Sequence, residues 1–350
     1  MRNGGAGLVR ECAGLVRENI DLRAYNTLGI SVSARHFASA NSREDLTTLR
    51  AWARAEGLPL QILGGGSNIV LKDNLPGLVV HVALRGRHWC EVDENDAILV
   101  LEAGENWHQA VIYAASMGYR GIENLALIPG TVGAAPVQNI GAYGVELADT
   151  LVDVEVMELT SGEIRRLDCQ ACRFAYRDSF FKQNPGRYLI TQVRLKLSRN
   201  RALELSYQGL ADAVGASSAE HLTALDVAQA VMALRRSKLP DPESLPNAGS
   251  FFKNPLVSHR QFEELRQQWP GIVAFTDPQG IKLAAAWLID RCGWKGYHEA
   301  HVGVHRHQAL VLVNHSRGTG KEILDLAQRI QDDVYNRYGV LLEIEPRILP

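Results

Sequence analysis

The sequence has few cysteines, few aromatic residues and no long run of one charge. Its 350 residues include 5 cysteines, and aromatic residues make up 7%. A small, odd number of cysteines argues against a disulfide framework and is typical of a reducing compartment. Basic residues total 37 against 39 acidic ones. Because like charges are also scattered, no field would gather nucleic acid or anionic lipid, and we expect neither as a partner.

Long apolar runs are missing as well. No stretch approaches the roughly 18 consecutive apolar residues that indicate a membrane span. Near the N-terminus, the charged pairs Arg10-Glu11 and Arg17-Glu18 interrupt each short apolar segment, which argues against a signal peptide. We therefore expect a cytoplasmic protein. We regard residues 1–20 as an N-terminal extension, either a short amphipathic helix or a frayed segment, without an assigned function.

Two groups of residues are candidate metal ligands, and both have unsuitable patterns. Cys169 and Cys172 have zinc or redox spacing, but no second cysteine pair accompanies them. The histidines of the second group lack the spacing of a zinc-protease helix and alternate with valines as in a strand. We therefore expect reduced thiols in ordinary packing and no metal. The second group is His298, His301, His305 and His307.

Helical and strand patterns are mixed along the chain, which indicates the α+β class. Ser42 and Asp45 predict a capping box at the start of a helix near residues 43–56. Further helices are expected near residues 106–117, 223–238, 258–268, 281–291 and 320–338. Strands are expected near residues 60–63, 69–71, 97–101, 152–156, 309–313 and 340–344.

The proline-rich segment at residues 238–242 indicates a domain boundary. We predict one subdomain at residues 21–88 and a second at residues 89–237, which the C-terminal strand at 340–350 would join. Residues 238–339 would form a third domain.

A glycine-rich turn separates two of the predicted strands. Gly64, Gly65 and Gly66 are followed by Ser67 and Asn68. Consecutive glycines let backbone N–H groups converge on an anion without obstruction by side chains, which suits a phosphate. The segment is neither a P-loop nor a dinucleotide-binding fingerprint, because a strand rather than a helix follows. A tight hairpin turn explains the pattern equally well.

A second unusual segment spans residues 122–144. It is rich in glycine, proline and alanine and includes the neighbouring amide side chains of Gln138 and Asn139. This composition makes a poor helix or strand but lets the backbone approach a flat ligand closely. It favours a loop that lines a cofactor.

Both segments resemble the flavin-binding half of the UDP-N-acetylenolpyruvoylglucosamine reductase family, in its longer form, within the vanillyl-alcohol-oxidase-like FAD superfamily. The resemblance runs from Tyr25 to Arg347. It includes the segments at residues 104–108, 176–181, 247–255 and 282–290. It implies two α+β FAD-binding subdomains and a C-terminal α+β substrate domain. It also implies noncovalent FAD, NADPH as co-substrate, and a monomer that reduces UDP-N-acetylglucosamine enolpyruvate to UDP-N-acetylmuramate in peptidoglycan precursor synthesis.

The resemblance also assigns site residues. It implies that Ser250 is the proton donor and that Arg177 and Glu345 surround the substrate carboxylate and the developing enol. The implied substrate-binding residues are Tyr207, Lys238 and Asn254. The implied cofactor-binding residues are Leu63, Gly64, Gly65, Gly66, Ser67, Asn68, Gly130, Thr131, Gly133, Ala134, Asn139, Gly141, Ala142 and Tyr143. From the residues alone, Ser250 is an ordinary turn serine, Arg177 with Glu345 a structural ion pair, and Lys238 a solvated helix-end lysine.

The sequence departs from the family at two places. Ala134 and Ala135 stand where many members carry serines, so backbone N–H groups must replace hydroxyl contacts to the flavin. Phe275 is the nearest aromatic residue to a family tyrosine that reaches the UDP group, and it cannot donate a hydrogen bond. Two other functions remain open from the residues. They are an oxygen-dependent oxidase of the same superfamily and a non-catalytic nucleotide-binding protein.

Overall fold

A computed structural model describes residues 14–215 and 222–350. The helices are α1 Arg43–Ala55, α2 Trp107–Ser116, α3 Phe180–Gln183, α4 Leu210–Ala213, α5 Ala224–Lys238, α6 His259–Gln268, α7 Ala285–Arg291 and α8 Gly320–Tyr338. The described chain separates into two compact units. The first unit comprises residues 14–20, 33–65, 75–215 and 222–236, and the second comprises residues 21–32, 66–74 and 237–350.

Two large sheets form most of the first unit. Strands β1 Arg17–Asp21, β2 Ser33–Ala40, β3 Leu60–Leu63 and β5 Leu75–Val82 form one sheet in the order β1-β2-β5-β3. Strand β5 runs parallel to both β2 and β3. Helix α1 buries Leu46, Leu49 and Ala53 against this sheet, and its predicted capping box at Ser42 and Asp45 is confirmed. An apolar stripe and a satisfied N-terminus therefore define this helix.

The second sheet of this unit is antiparallel. It consists of β6 Arg87–Cys90, β7 Asp96–Glu102, β10 Leu151–Glu158, β11 Ile164–Asp168 and β12 Tyr188–Ser198, in the order β11-β10-β12-β7-β6. Its core includes Leu99, Leu101 and Val193, with Trp107 of α2 and Val231 of α5 in the same cluster. The short strands β8 Gly141–Ala142 and β9 Val145–Glu146 pair with each other and precede β10 in the chain.

The second unit contains two three-stranded sheets and a parallel strand pair. The first sheet has the order β13-β18-β17, with β13 Asn247–Ser250, β17 Val302–Val304 and β18 Val311–Asn314. The second has the order β14-β16-β15, with β14 Leu256–Val257, β15 Ala274–Asp277 and β16 Gly280–Leu283. Strands β4 Ile69–Leu71 and β19 Arg347–Leu349 form the parallel pair. Helix α8 buries Ile323, Leu326, Ile330 and Val334.

The structure corrects several local predictions. The interpretation of the glycine turn as a hairpin is wrong, because β3 pairs with β5 and β4 pairs with β19. The helix predicted at 281–291 begins at Ala285, because residues 280–283 form the central strand β16. The final strand lies at 347–349 rather than 340–344, where Ile344 makes one isolated bridge. The strand predicted at 309–313 is β18, which begins two residues later.

The second unusual segment also differs from its prediction. Residues Val132–Gln138 form a 3-10 helix instead of an irregular loop. The tighter 3-10 winding tolerates Pro136, which lacks the N–H that a regular helix would use. This helix ends at Asn139 in the left-handed conformation, with φ of +46°.

The candidate metal ligands have other contacts. Burial raises the pKa of the Cys172 thiol to about 12, so the thiol stays protonated. His298 stacks on His315, and His301 pairs with Glu322 at 2.7 Å. Within residues 14–215 and 222–350, no group of three or more His, Cys, Asp or Glu side chains is placed to hold a metal ion.

No helix in this part of the chain combines the length and the apolar character that a membrane crossing requires. Residues 1–13, with Cys12, lie outside the described residues.

Candidate active site

The glycine turn and the segment after residue 130 contact each other in the first unit. A Cβ added to Gly65 would lie 2.9 Å from the Cα of Gly130. A Cβ added to Gly64 would lie 2.7 Å from the Oγ1 of Thr131. Real Cβ atoms do not come so close, so glycine at these positions lets the two segments pack tightly together. We call residues 64–65 and 130–131 the backbone cradle. Leu63 is buried immediately before this cradle.

The rest of the turn belongs to the second unit and also requires glycine. Gly66 has φ of +62°, and an added Cβ would lie 2.0 Å from the carbonyl oxygen of Tyr25. Its own carbonyl accepts a hydrogen bond of 3.1 Å from the N–H of Thr27. The carbonyl of Asn68 accepts one of 3.0 Å from Arg347 at the start of β19. These bonds fix the backbone of residues 66–68.

Backbone hydrogen bonds hold the segment that follows Gly130. The N–H of Val132 donates to Glu105, and that of Gly133 donates to Ala103 at 2.8 Å. Gly133 lies so close to Ala103 that an added Cβ would approach its Cβ to 2.6 Å. Ala134 lies next to the cradle, with its Cβ 3.5 Å from the position of a Cβ on Gly64. Backbone therefore presents the surface here, as expected from the absence of serine hydroxyls at 134 and 135.

The side chain of Asn139 is used inside the fold. Its Nδ2 donates to Glu146 at 2.6 Å, and its Oδ1 accepts from the N–H of Ala148 at 3.1 Å. Asn139 is buried. Because both ends of the amide are engaged, any contact of this residue with a cofactor must come from its backbone.

Arg177 is fastened to the same segment. Its backbone is left-handed, with φ of +52°, and its Nη2 donates a hydrogen bond of 2.8 Å to the carbonyl of Gly141. Lys182 donates to the carbonyl of Arg177 at 3.1 Å, and the Ser179 hydroxyl donates to the carbonyl of Val137 at 2.6 Å. The structure thus brings Arg177 to the predicted cofactor segment, although 36 residues separate it from Gly141.

Two phenols and a second guanidinium accompany Arg177. The rings of Tyr143 and Tyr207 meet edge to face, 4.7 Å apart. Burial lowers the pKa of Arg235 on α5, and the charge of Arg177 lowers it further. Burial raises the pKa of Tyr143, although the positive charge of the nearby Arg235 acts in the opposite direction. Two like charges held in one partly desolvated cluster favour an anionic ligand.

Sequence reasoning missed Arg235. The available clue was its position on the helix that Thr223 opens, three residues before the predicted substrate residue Lys238. Residues three apart on a helix lie on the same face. Lys238 itself is the exposed last residue of α5, which is compatible with both of its sequence interpretations.

Ser250 and Glu345 come together on adjoining segments of the second unit. Ser250 ends β13, after Gly249 with φ of +71°, and the next residue is the buried Phe251. The carbonyl of Phe251 accepts a hydrogen bond of 2.9 Å from the N–H of Glu345. Both Ser250 and Glu345 are half-buried. A hydroxyl and a carboxyl group are therefore placed on neighbouring backbones.

Asn254 lies four residues beyond Ser250. Its Oδ1 accepts a hydrogen bond of 3.0 Å from the N–H of Ala285 at the start of α7. The amide oxygen thus serves the helix terminus, and Nδ2 is the group suited to a ligand. Phe275 on β15 is 52% exposed and lies opposite Lys282, which pairs with Asp277 at 2.7 Å.

Comparison with known proteins agrees with this architecture. An FAD binding domain profile matches residues 34–168. A vanillyl-alcohol-oxidase-type flavoprotein of Myceliophthora thermophila shares the fold, with a TM-score of 0.52 at 10% identity, over 96% of this chain and 85% of that one. The fold, the backbone cradle and the matched domain define an FAD-dependent oxidoreductase. The predicted fold class and FAD cofactor are confirmed.

The particular family follows from closer relatives. A profile described as UDP-N-acetylenolpyruvoylglucosamine reductase, C-terminal domain, matches residues 241–349. The enzymes of that name from Pseudomonas fluorescens and Pseudomonas aeruginosa are 48% and 50% identical to the chain, over 95% of it and 98% of each relative. The crystal structure of the Thermus caldophilus reductase matches with a TM-score of 0.67 at 26% identity, over 96% of this chain and all of that one. The chain belongs to the UDP-N-acetylenolpyruvoylglucosamine reductase family, which confirms the resemblance.

Proposed function

We propose that this chain reduces the enolpyruvyl group of UDP-N-acetylglucosamine enolpyruvate to the lactyl ether of UDP-N-acetylmuramate. NADPH is the hydride source, and the reaction belongs to cytoplasmic peptidoglycan precursor synthesis by a monomer. The observation that carries the proposal is the backbone bond between Glu345 and Phe251, which joins the segment of Glu345 to that of Ser250. Residues 21–88 and 89–237 would serve FAD, and residues 238–339 the substrate.

The cradle at residues 64–65 and 130–131 fits noncovalent FAD. Its glycines leave backbone where any side chain would collide, and backbone N–H groups suit a pyrophosphate. When bound, FAD supplies the carrier of hydride between NADPH and the sugar substrate. The remaining cofactor assignments, including Ser67, Asn68, Ala142 and Tyr143, follow from the family and from their places beside these segments.

Hydride addition to the terminal vinyl carbon leaves an electron pair on the adjacent carbon. That charge delocalises into the substrate carboxylate and forms an enolate. The guanidinium of Arg177 would stabilise this charge through hydrogen bonds, while the second cation, Arg235, adds to the positive potential of the cluster. These contacts strengthen as the charge develops, so they accelerate the reaction rather than merely bind substrate.

Protonation completes the reaction. The Ser250 hydroxyl would deliver its proton to the adjacent carbon, which forms the lactyl ether, and solvent would later restore the proton to Ser250. Glu345, on the adjoining segment, would hold or share a proton during this step. Tyr207, Lys238 and the Nδ2 of Asn254 would bind the anionic or polar parts of the UDP-sugar.

A two-step absorbance experiment tests the function. The purified protein should be yellow and should bleach when NADPH is added without oxygen. Adding the enolpyruvyl UDP-sugar should restore the colour, whereas UDP-N-acetylglucosamine, which lacks the vinyl group, should not. Rapid recovery in air without the enolpyruvyl sugar would instead support an oxidase. A bound nucleotide without NADPH turnover would support a non-catalytic binding protein.

A further inference from the structure

The segments that carry Ser250 and Glu345 are held together by a very short ladder. The N–H of Glu345 donates to the carbonyl of Phe251, and the N–H of Lys253 donates to the carbonyl of Glu343, each at 2.9 Å. These two bonds flank a single isolated bridge. A one-residue slip in such pairing would send every side chain to the opposite face. So short a ladder gives little protection against that slip.

A side-chain ion pair also joins the same two segments. The Lys253 ammonium donates a hydrogen bond to the Glu343 carboxylate. The two residues face each other directly across the ladder, since the backbone of one bonds to the backbone of the other. The Lys253 side chain is 12% exposed and that of Glu343 is 68% exposed. The buried stem of Lys253 therefore brings a fixed charge to the end of the ladder.

We propose that Lys253 is a positioning residue, whose ion pair with Glu343 holds the register that places the Glu345 carboxyl group relative to the Ser250 hydroxyl. This inference rests on the proposed function of Ser250 and Glu345. An ion pair with one exposed partner adds little to the free energy of folding. We therefore expect the ion pair to affect the positions of the reacting groups rather than the stability of the fold. Displacement of a reacting group by about 1 Å can cost on the order of 10²-fold in rate.

The test uses Lys253→Met, Glu343→Gln and the double variant in the full-length flavoprotein. Because two backbone bonds remain, we expect recovery of the flavin absorbance by the enolpyruvyl sugar to slow about tenfold in each single variant. The double variant should be no slower than either single one, because both remove the same contact. Bleaching by NADPH and the melting temperature should stay at the wild-type values.

Two further variants sharpen the comparison. Lys253→Arg keeps the charge and should restore recovery to within about twofold of wild type, whereas a purely steric role would not be rescued in this way. Lys295→Met removes another lysine ion pair of the second unit, the one with Asp290, and should leave both steps unchanged.

Two outcomes would overturn the proposal. If Glu343→Gln recovers at the wild-type rate while Lys253→Met is slow, Lys253 acts on the substrate directly and not through Glu343. If both variants slow bleaching as much as recovery, the ion pair has only a general structural role. Failure of the proposed function is distinguishable from both, because the wild-type protein itself would then show no recovery with the enolpyruvyl sugar.

Discussion

Replacing Ser250 with alanine removes one hydroxyl from the proposed proton donor. Ser250 is half-buried at the end of a strand, and both phenylalanines that follow it are at most 1% exposed. The backbone should therefore stay in place, and the melting temperature should change little. Loss of a positioned proton donor typically costs about 10² to 10⁴ in rate, or about 3 to 5 kcal/mol of transition-state stabilisation.

The effect should fall on only one half-reaction. Flavin reduction by NADPH requires no proton delivery to carbon, so bleaching should stay near the wild-type rate in Ser250→Ala. Recovery of absorbance with the enolpyruvyl sugar should slow by the full factor. Stopped-flow absorbance measures the two steps separately. Ser316→Ala, at an exposed position of the same unit, is the matched control.

Two results would refute this reasoning. Equal slowing of bleaching and recovery would show that the substitution damages the protein generally. Recovery within a few-fold of wild type would show that another group, or water, supplies the proton. Ser250→Cys offers a further check, because a thiol can donate a proton and should recover part of the lost rate.

Three other substitutions have distinct expected outcomes. Lys238→Ala should raise KM for the UDP-sugar more than it lowers kcat, because the lysine charge would bind the anionic substrate equally in the ground state and the transition state. An unchanged KM would show that Lys238 is only a solvated residue at the end of a helix. Gly66→Ala should contain less FAD and have a lower melting temperature than the control Gly57→Ala. Both glycines have positive φ, but only at Gly66 would the added Cβ lie 2.0 Å from a backbone oxygen. Equal losses in the two variants would contradict this reasoning. Hydrogen bonds from His301 and from Thr319 lower the pKa of Glu322 to about 2, so the stabilisation by its carboxylate is present above the ordinary value of 4.5 and is lost as pH falls towards 2. The stabilities of wild type and Glu322→Gln, measured by denaturant unfolding, should converge over that range, and a constant difference would contradict this prediction.

Local sequence signals predicted the elements they control. The capping box at Ser42 and the helix of residues 320–338 were both predicted and confirmed, because an N-cap and an apolar stripe lie within one stretch of chain. Residues 281–283 were misread as helix, since their pairing with strands on both sides is invisible locally. Tertiary pairing overrode the local preference there.

The candidate site shows the same division. The sequence indicated that the glycines at 64–66 form a special backbone turn, because consecutive glycines are needed where side chains would collide. The contact of Arg177 with Gly141 and the clustering of Arg235 with Tyr143 both depend on folding. The family resemblance indicated a role for Arg177, whereas the only sequence clue for Arg235 was its helical spacing from Lys238. The ion pair of Lys253 with Glu343 was likewise hidden, because 90 residues separate its partners.

The most direct test of the central claim is a product analysis under anaerobic conditions. The flavoprotein is mixed with limiting NADPH and excess enolpyruvyl UDP-sugar, and the sugar is then examined by mass spectrometry. The proposed function predicts a UDP-sugar that has gained two hydrogen atoms, one as hydride and one as a proton, in a one-to-one ratio with the NADPH oxidised. Oxidation of NADPH only in air, with hydrogen peroxide formed and the UDP-sugar unchanged, would contradict it.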